Sequence, residues 1–157
     1  WDRKVTGIKG NQLTIDAPIT TALDAKYLGG TVSKYKWDGR ITQTGVENLR
    51  IQSDYNKANI KDEYHRWNAI SLENVSDAWV RQVVFEHFAG SAVAVLESAN
   101  RITVEDCKSL APISEIAGER RNTFITSGQQ TLFQRIYAGC CFLVQIQELV
   151  FTINGRC

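Results

Sequence analysis

Residues 73–85 read ENVSDAWVRQVVF, and residues 97–107 repeat that arrangement in other letters, ESANRITVEDC. In each, a polar stretch with an asparagine leads into alternating apolar and polar residues. Each stretch contains an apolar-x-x-apolar step, Val80-Arg81-Gln82-Val83 in one and Val104-Glu105-Asp106-Cys107 in the other. Two more such steps lie further out, Val46-Glu47-Asn48-Leu49 and Phe133-Gln134-Arg135-Ile136. Their first residues are 34, 24 and 29 positions apart. A second set of apolar runs lies between them: NAISL at 68–72, AVAVL at 92–96 and TFIT at 123–126. With Ile70, Val93 and Phe124 as equivalents, the steps are 23 and 31.

β-branched residues are plentiful, and sustained helical stripes are absent before residue 140, so the chain is read as all-β. Two strand families advancing together describe a parallel solenoid. One coil is too thin to bury its own apolar side, so neighbouring coils must stack to complete a core. Equivalent residues then lie roughly 4.8 Å apart. An antiparallel sandwich also spaces its strands regularly, but its turns are more often tight hairpins. Only Gly10-Asn11 has that form, which favours the solenoid. The expected organisation is a strand-rich entry segment at 1–39, coils at 40–139 and an atypical tail at 140–157.

The column Leu49, Val83, Cys107, Ile136 predicts a buried, inert thiol at Cys107. Cys140, Cys141 and Cys157 match no zinc or Cys-x-x-Cys spacing, and a bridge from one of them to another cysteine stays open. Asn74 and Asn100, each in the polar stretch before a strand, are expected to stack as a hydrogen-bonded ladder. His87 is expected inward or in a turn as a hydrogen-bonded structural residue.

Charge excludes little but argues against one class. Lys and Arg total 18 and Asp and Glu 17, so there is no basic excess of the kind nucleic-acid binders carry. No run of eighteen apolar residues is present, and no membrane span is expected. The chain begins at Trp1 and contains no Met, from which an excised piece with an incomplete set of coils is expected. An uncapped coil end would then favour self-association. The tail CCFLVQIQELVFTINGRC lacks the repeat grammar and is expected to be a non-native continuation.

VTGIKGNQLTIDAPIT, TGVENLRIQS, ENVSDAWVRQVVFEHF and SANRITVEDC resemble the right-handed parallel β-helix proteins of the pectate-lyase superfamily, in their bacterial members. The resemblance covers roughly residues 3–139, and SEIAGERRNTF with GQQTLFQRIY shares it. It implies a right-handed coil, a secreted or cell-surface location and a polysaccharide partner, acidic and uronate-containing. In such lyases a basic residue removes the proton alpha to a uronate carboxylate, and carboxylates often hold calcium. In such glycoside hydrolases two or three carboxylates do acid and base work. Three classes stay open: lyase or hydrolase, non-catalytic glycan-binding or adhesive β-helix, and inactive fragment. The Asp-x-Asp, Asp-Asp and Gly-His pairs of polygalacturonases are absent.

Two long insertions, 53–67 and 111–122, follow the same kind of step and should emerge on one side, where binding residues concentrate. The candidate catalytic residues are His65, Glu119, Arg120 and Arg121, and the candidate substrate-binding residues are Asp62, Glu63, Tyr64, Trp67 and Glu115. In this scheme Arg120 and Arg121 clamp a sugar carboxylate bidentately, and a loop carboxylate or calcium handles the remaining charge. The plainer alternative is that Asp62-Glu63 and Arg120-Arg121 are solvated loop charges.

Overall fold

The structure is a computed structural model. It describes residues 1–27, 29–117 and 120–139, with the backbone of two later strands, 144–146 and 150–152. The chain divides into two units, Trp1–Gly39 and Arg40–Cys157. In the first, strands β1 (Val5–Lys9) and β2 (Gln12–Ile15) form an antiparallel hairpin through Gly10-Asn11. Asp16 closes its base, donating from its amide to the Lys4 carbonyl and accepting the Lys4 amide on its carboxylate. A single 3-10 turn, Ala25–Tyr27, follows. No described residue of this unit is buried.

The second unit is built from parallel strands, and no α-helix occurs among the described residues. One sheet holds β3 (Ile41–Thr42), β4 (Gly45–Glu47), β7 (Val75–Arg81), β10 (Asn100–Glu105), β13 (Gln129–Gln134) and β16 (Val150–Thr152). A second stacks β5 (Arg50–Gln52), β8 (Val84–Glu86), β11 (Lys108–Leu110) and β14 (Tyr137–Ala138). The third stacks β6 (Ile70–Leu72), β9 (Val93–Val95), β12 (Phe124–Thr126) and β15 (Val144–Ile146). The chain visits the three sheets in the same order on each pass; β3 and β4 both pair with β7 in the first sheet, and each later full pass adds one strand to each sheet.

The register matches the repeat read from the sequence. Val46 pairs with Val80, Val80 with Val104 and Val104 with Phe133, while Ile70, Val93 and Phe124 are partners in the third sheet. Val80, Val104, Phe133, Val93 and Phe124 have no exposed surface, so the stacked columns are the core. Phe124 and Phe133 meet across it with ring centroids 6.0 Å apart. Burying each such ring contributes roughly 1.5–3 kcal/mol relative to leaving it in water.

The second sheet was not expected, because the apolar-x-x-apolar step is a corner rather than a single strand. Its third residue, Asn48, Gln82, Asp106 or Arg135, takes a left-handed φ of 56, 54, 54 or 50°. That bend turns the chain from one sheet to the next; the apolar residues that follow it, Val83, Cys107 and Ile136, are buried, whereas Leu49 in the first step is half exposed. A parallel column of left-handed residues, Gln43, Asp77, Arg101 and Gln130, bends the first sheet. Left-handed backbone is costly for residues with a Cβ, so these corners persist because the stack on either side imposes them.

Asn74 and Asn100 do not stack. Asn100 pairs with Ser76 and Gln129, whereas the Asn74 amide donates to Ser98 Oγ. Asn100 is buried in the core, and Asn74 is exposed. Cys107 is a free thiol with no exposed surface, and burial pushes its pKa up to about 11. Cys140, Cys141, Cys157 and the tail's side chains lie outside the described residues.

Charged residues on the outer faces alternate between neighbouring strands. Arg81 pairs with Glu47, Arg101 with Asp77 (2.5 Å), and Arg135 with both Asp106 (2.6 Å) and Glu105 (2.8 Å). These arginines hold the carboxyls of Glu47, Asp77 and Asp106 below the usual carboxylate range, with Trp79 adding a hydrogen bond to Glu47. Each such pair is worth little by itself at the surface. Together they place opposite charges beside each other wherever two charges meet in these columns.

Candidate functional site

The two long loops leave β5 and β11, which sit in one sheet with only β8 between them. They therefore emerge from the same edge and reach each other. Arg120 Nε donates to Glu63 Oε1 at 2.7 Å, and the Glu115 amide donates to the same oxygen at 3.3 Å. Lys61 Nζ pairs with Glu115 Oε2 at 3.1 Å. Residues more than fifty positions apart are thus joined, as equivalent exits from the scaffold require.

The first loop is shaped by its own short polar side chains. Asn56 Oδ1 accepts the Ala58 amide, Asn59 Oδ1 accepts the Lys61 amide, and Asp62 Oδ1 accepts the Tyr64 amide. Each side chain folds its own backbone two residues on, so the spacing Asn56, Asn59, Asp62 is a run of Asx turns. Asp62 Oδ2 also takes the Asn56 amide at 2.8 Å. These amides from Asn56 and Tyr64 hold the Asp62 carboxyl below its ordinary pKa. Asp62 is 6% exposed, a loop staple with both oxygens engaged.

His65 is a clasp. Its Nε2 faces two main-chain carbonyls, Ile113 at 2.9 Å and Asp62 at 3.1 Å, so this nitrogen carries the proton. Its Nδ1 lies 2.9 Å from Ser53 Oγ, whose hydroxyl can donate to it. The ring ties the end of β5 to both loops, and neither nitrogen is left over to take a substrate proton. Arg121 is also used internally. It is 9% exposed, with Nε donating to Ser114 Oγ at 3.1 Å and a terminal nitrogen to the Ser114 carbonyl at 2.6 Å. The expected pair of arginines facing one groove is therefore not formed: Arg120 is spent on Glu63 and Arg121 lies within the second loop. Glu119 lies outside the described residues.

The exposed residues of the first loop include two aromatics. Tyr64 is fully exposed, and Trp67 is 41% exposed with its indole against Gly90. Tyr55 stands edge-on to His87 at 4.9 Å, and His87 Nδ1 lies 3.3 Å from Gln52 Nε2. His87 sits in a turn with φ 64°, one of the two placements expected for it. Among the described residues no three His, Cys, Asp or Glu side chains converge to hold a metal ion. Three of the loop carboxylates are engaged, Asp62 with amides, Glu63 with Arg120 and Glu115 with Lys61. No helix among the described residues is long and apolar enough to cross a membrane.

The residues missed in the sequence are those that build the loops: Ser53, Asn56, Asn59 and Ser114. The three-residue Asn-Asn-Asp spacing was a usable signal, whereas Ser53 and Ser114 had none. Comparison with protein-family models, curated proteins and solved structures found no match, so the reading of function rests on this chain's own residues.

Proposed function

We propose that the unit beginning at Arg40 is a right-handed parallel β-helix and that the surface formed by its two long loops binds a polysaccharide without cleaving it. The coil is supported by three parallel sheets visited in a constant order with matching register. The binding reading is carried by one observation: Tyr64 and Trp67 are exposed on a loop pinned at Asp62 and His65 and, through the Trp67 carbonyl, to Gly90. Exposed rings on a fixed backbone present large apolar faces at little ordering cost, which suits stacking against sugar rings. Binding stands ahead of lyase or hydrolase chemistry because Asp62, Glu63, His65, Arg120 and Arg121 are each held within the two loops. Such a surface fits a secreted or cell-surface protein.

Affinity electrophoresis of the whole chain in gels containing acidic and neutral polysaccharides tests the reading. Retardation by at least one polymer, lost in Tyr64→Ala and Trp67→Ala without product release by the parent chain, is the expected result. Migration unaffected by every polymer refutes binding, and release of oligosaccharides refutes the non-catalytic assignment.

A further inference from the structure

On the reading of the loop surface as a polysaccharide site, we infer that Arg66 is the residue that recognises a carboxylate on the bound sugar. Arg66 lies between the two exposed aromatics in the sequence Tyr64-His65-Arg66-Trp67. Its side chain is exposed and makes no ion pair or hydrogen bond among the described residues. The other loop cations differ. Arg120 is bound to Glu63, Lys61 to Glu115, and Arg121 is buried against Ser114. Lys57 is also exposed and unpaired among the described residues, but it has an aromatic on one side only, the half-buried Tyr55 packed edge-on to His87, and it lies within the run of Asx turns.

The backbone at Arg66 is among the best anchored of the loop. The Arg66 carbonyl accepts the Ala89 amide at 3.2 Å, and the Trp67 carbonyl accepts the amides of Gly90 at 2.9 Å and Ser91 at 3.2 Å. His65, just before it, turns toward Ser53 and Ile113. The scaffold therefore fixes where the side chain starts while leaving its guanidinium unspent. A free guanidinium on a residue with an exposed aromatic on either side of it in the sequence matches a sugar that stacks its ring and offers a planar carboxylate to two parallel N–H donors. No other group described on the two loops combines an unpaired cation with that flanking.

The test compares binding of the whole chain to alginate and to alginate esterified at its carboxylates, a shared backbone with and without charge. A charge-assisted contact of this kind predicts about 10-fold tighter binding to the free acid, weakening as salt rises. Arg66→Ala should remove that preference while leaving affinity for the ester within about twofold, since the rings are untouched. Lys57→Ala should retain the preference, with circular dichroism confirming that each variant is folded. A preference surviving in Arg66→Ala, or lost in Lys57→Ala, overturns the assignment of Arg66. Equal binding of acid and ester by the parent chain overturns it too and leaves the polysaccharide reading standing. Failure to bind either of these polymers or any neutral polysaccharide overturns that reading itself.

Discussion

Replacing Gly90 by alanine should move Trp67 while leaving the parallel sheets folded. A Cβ on Gly90 would lie 2.3 Å from Trp67 Nε1, 2.6 Å from Cδ1 and 2.7 Å from Cε2. Ordinary contact needs about 3.5 Å, so the near edge of the indole must retreat by about 1 Å. It has somewhere to go, because Trp67 is 41% exposed and can tilt into solvent. A tilt that uncovers about 50 Å² of ring costs about 1.3 kcal/mol. Gly90 does not use a left-handed φ, so alanine recovers about 0.4–1 kcal/mol by restricting the unfolded chain. The two effects nearly cancel, and the thermal midpoint should fall by no more than about 4 °C. Tryptophan emission and acrylamide quenching, each corrected by subtraction of a Trp67→Phe control, should report a more exposed indole at position 67. If the loop surface binds polysaccharide as proposed, affinity should fall with it. Unchanged quenching of Trp67 would refute the packing argument, and a loss above about 3 kcal/mol would mean that the indole cannot swing outward.

Phe133→Ala should cost about 3–5 kcal/mol in urea unfolding, because the ring is fully buried against Phe124; a loss under about 1 kcal/mol would contradict a continuous core. Cys107 should react slowly with thiol reagents in the folded chain even at pH 9, since its pKa is raised to about 11, and quickly in denaturant. Peptide mapping separates it from the other cysteines, and fast native labelling would place it outside the core. Glu47, Asp62, Asp77 and Asp106 all have depressed pKa values. Their contribution is full above the unfolded carboxylate range, about pH 4, and is lost as pH falls through the lower folded values. The thermal midpoint should be flat from neutrality to about pH 5 and drop below about pH 4, and by less in Arg135→Ala, where Asp106 loses its partner.

The register was legible because inward positions carry one kind of chemistry. Val46, Val80, Val104 and Phe133 advertise a buried column regardless of the insertions between them. The second sheet was not legible for two physical reasons. Its strands are two or three residues long, too short to display alternation, and its inward column runs Ile51, Phe85, Ser109, Ala138, which dilutes the apolar signal. The corners hid as well, since left-handed turns are normally flagged by glycine and these use Gln82, Asp106 and Arg135.

For the site, meeting of the loops followed from their equivalent exits, but the state of each charge did not. Whether Glu63 or Arg120 is free depends on a partner 57 residues away, and no local pattern encodes it. His65 sat in a polar loop and so looked available, yet two main-chain carbonyls and a buried serine hold it. Carbonyls are present at every position and leave no trace in the letters. Arg66 drew no notice because it belongs to no pair, which is the property that now distinguishes it.

An apolar column alone does not determine how one parallel strand sits on the next. A slip of one residue turns the core face outward and is excluded, but a slip of two residues keeps inward positions inward. Something other than hydrophobicity must reject it. The left-handed corners reject it by shape, since Gln82 and Asp106 must coincide for both neighbouring sheets to continue. Opposed charges reject it by attraction, because two-residue displacement takes Arg81 away from Glu47 and Arg101 away from Asp77. Trp79 and Gly45 reject it sterically: the indole lies so close over Gly45 that a Cβ there would come within 2.3 Å of the ring. Displaced by two residues, the same indole would meet the side chains of Gln43 or Glu47 instead. The exposed side of the sheet therefore carries the register information that the valines inside it lack, and the alignment of the loop exits depends on that outer face.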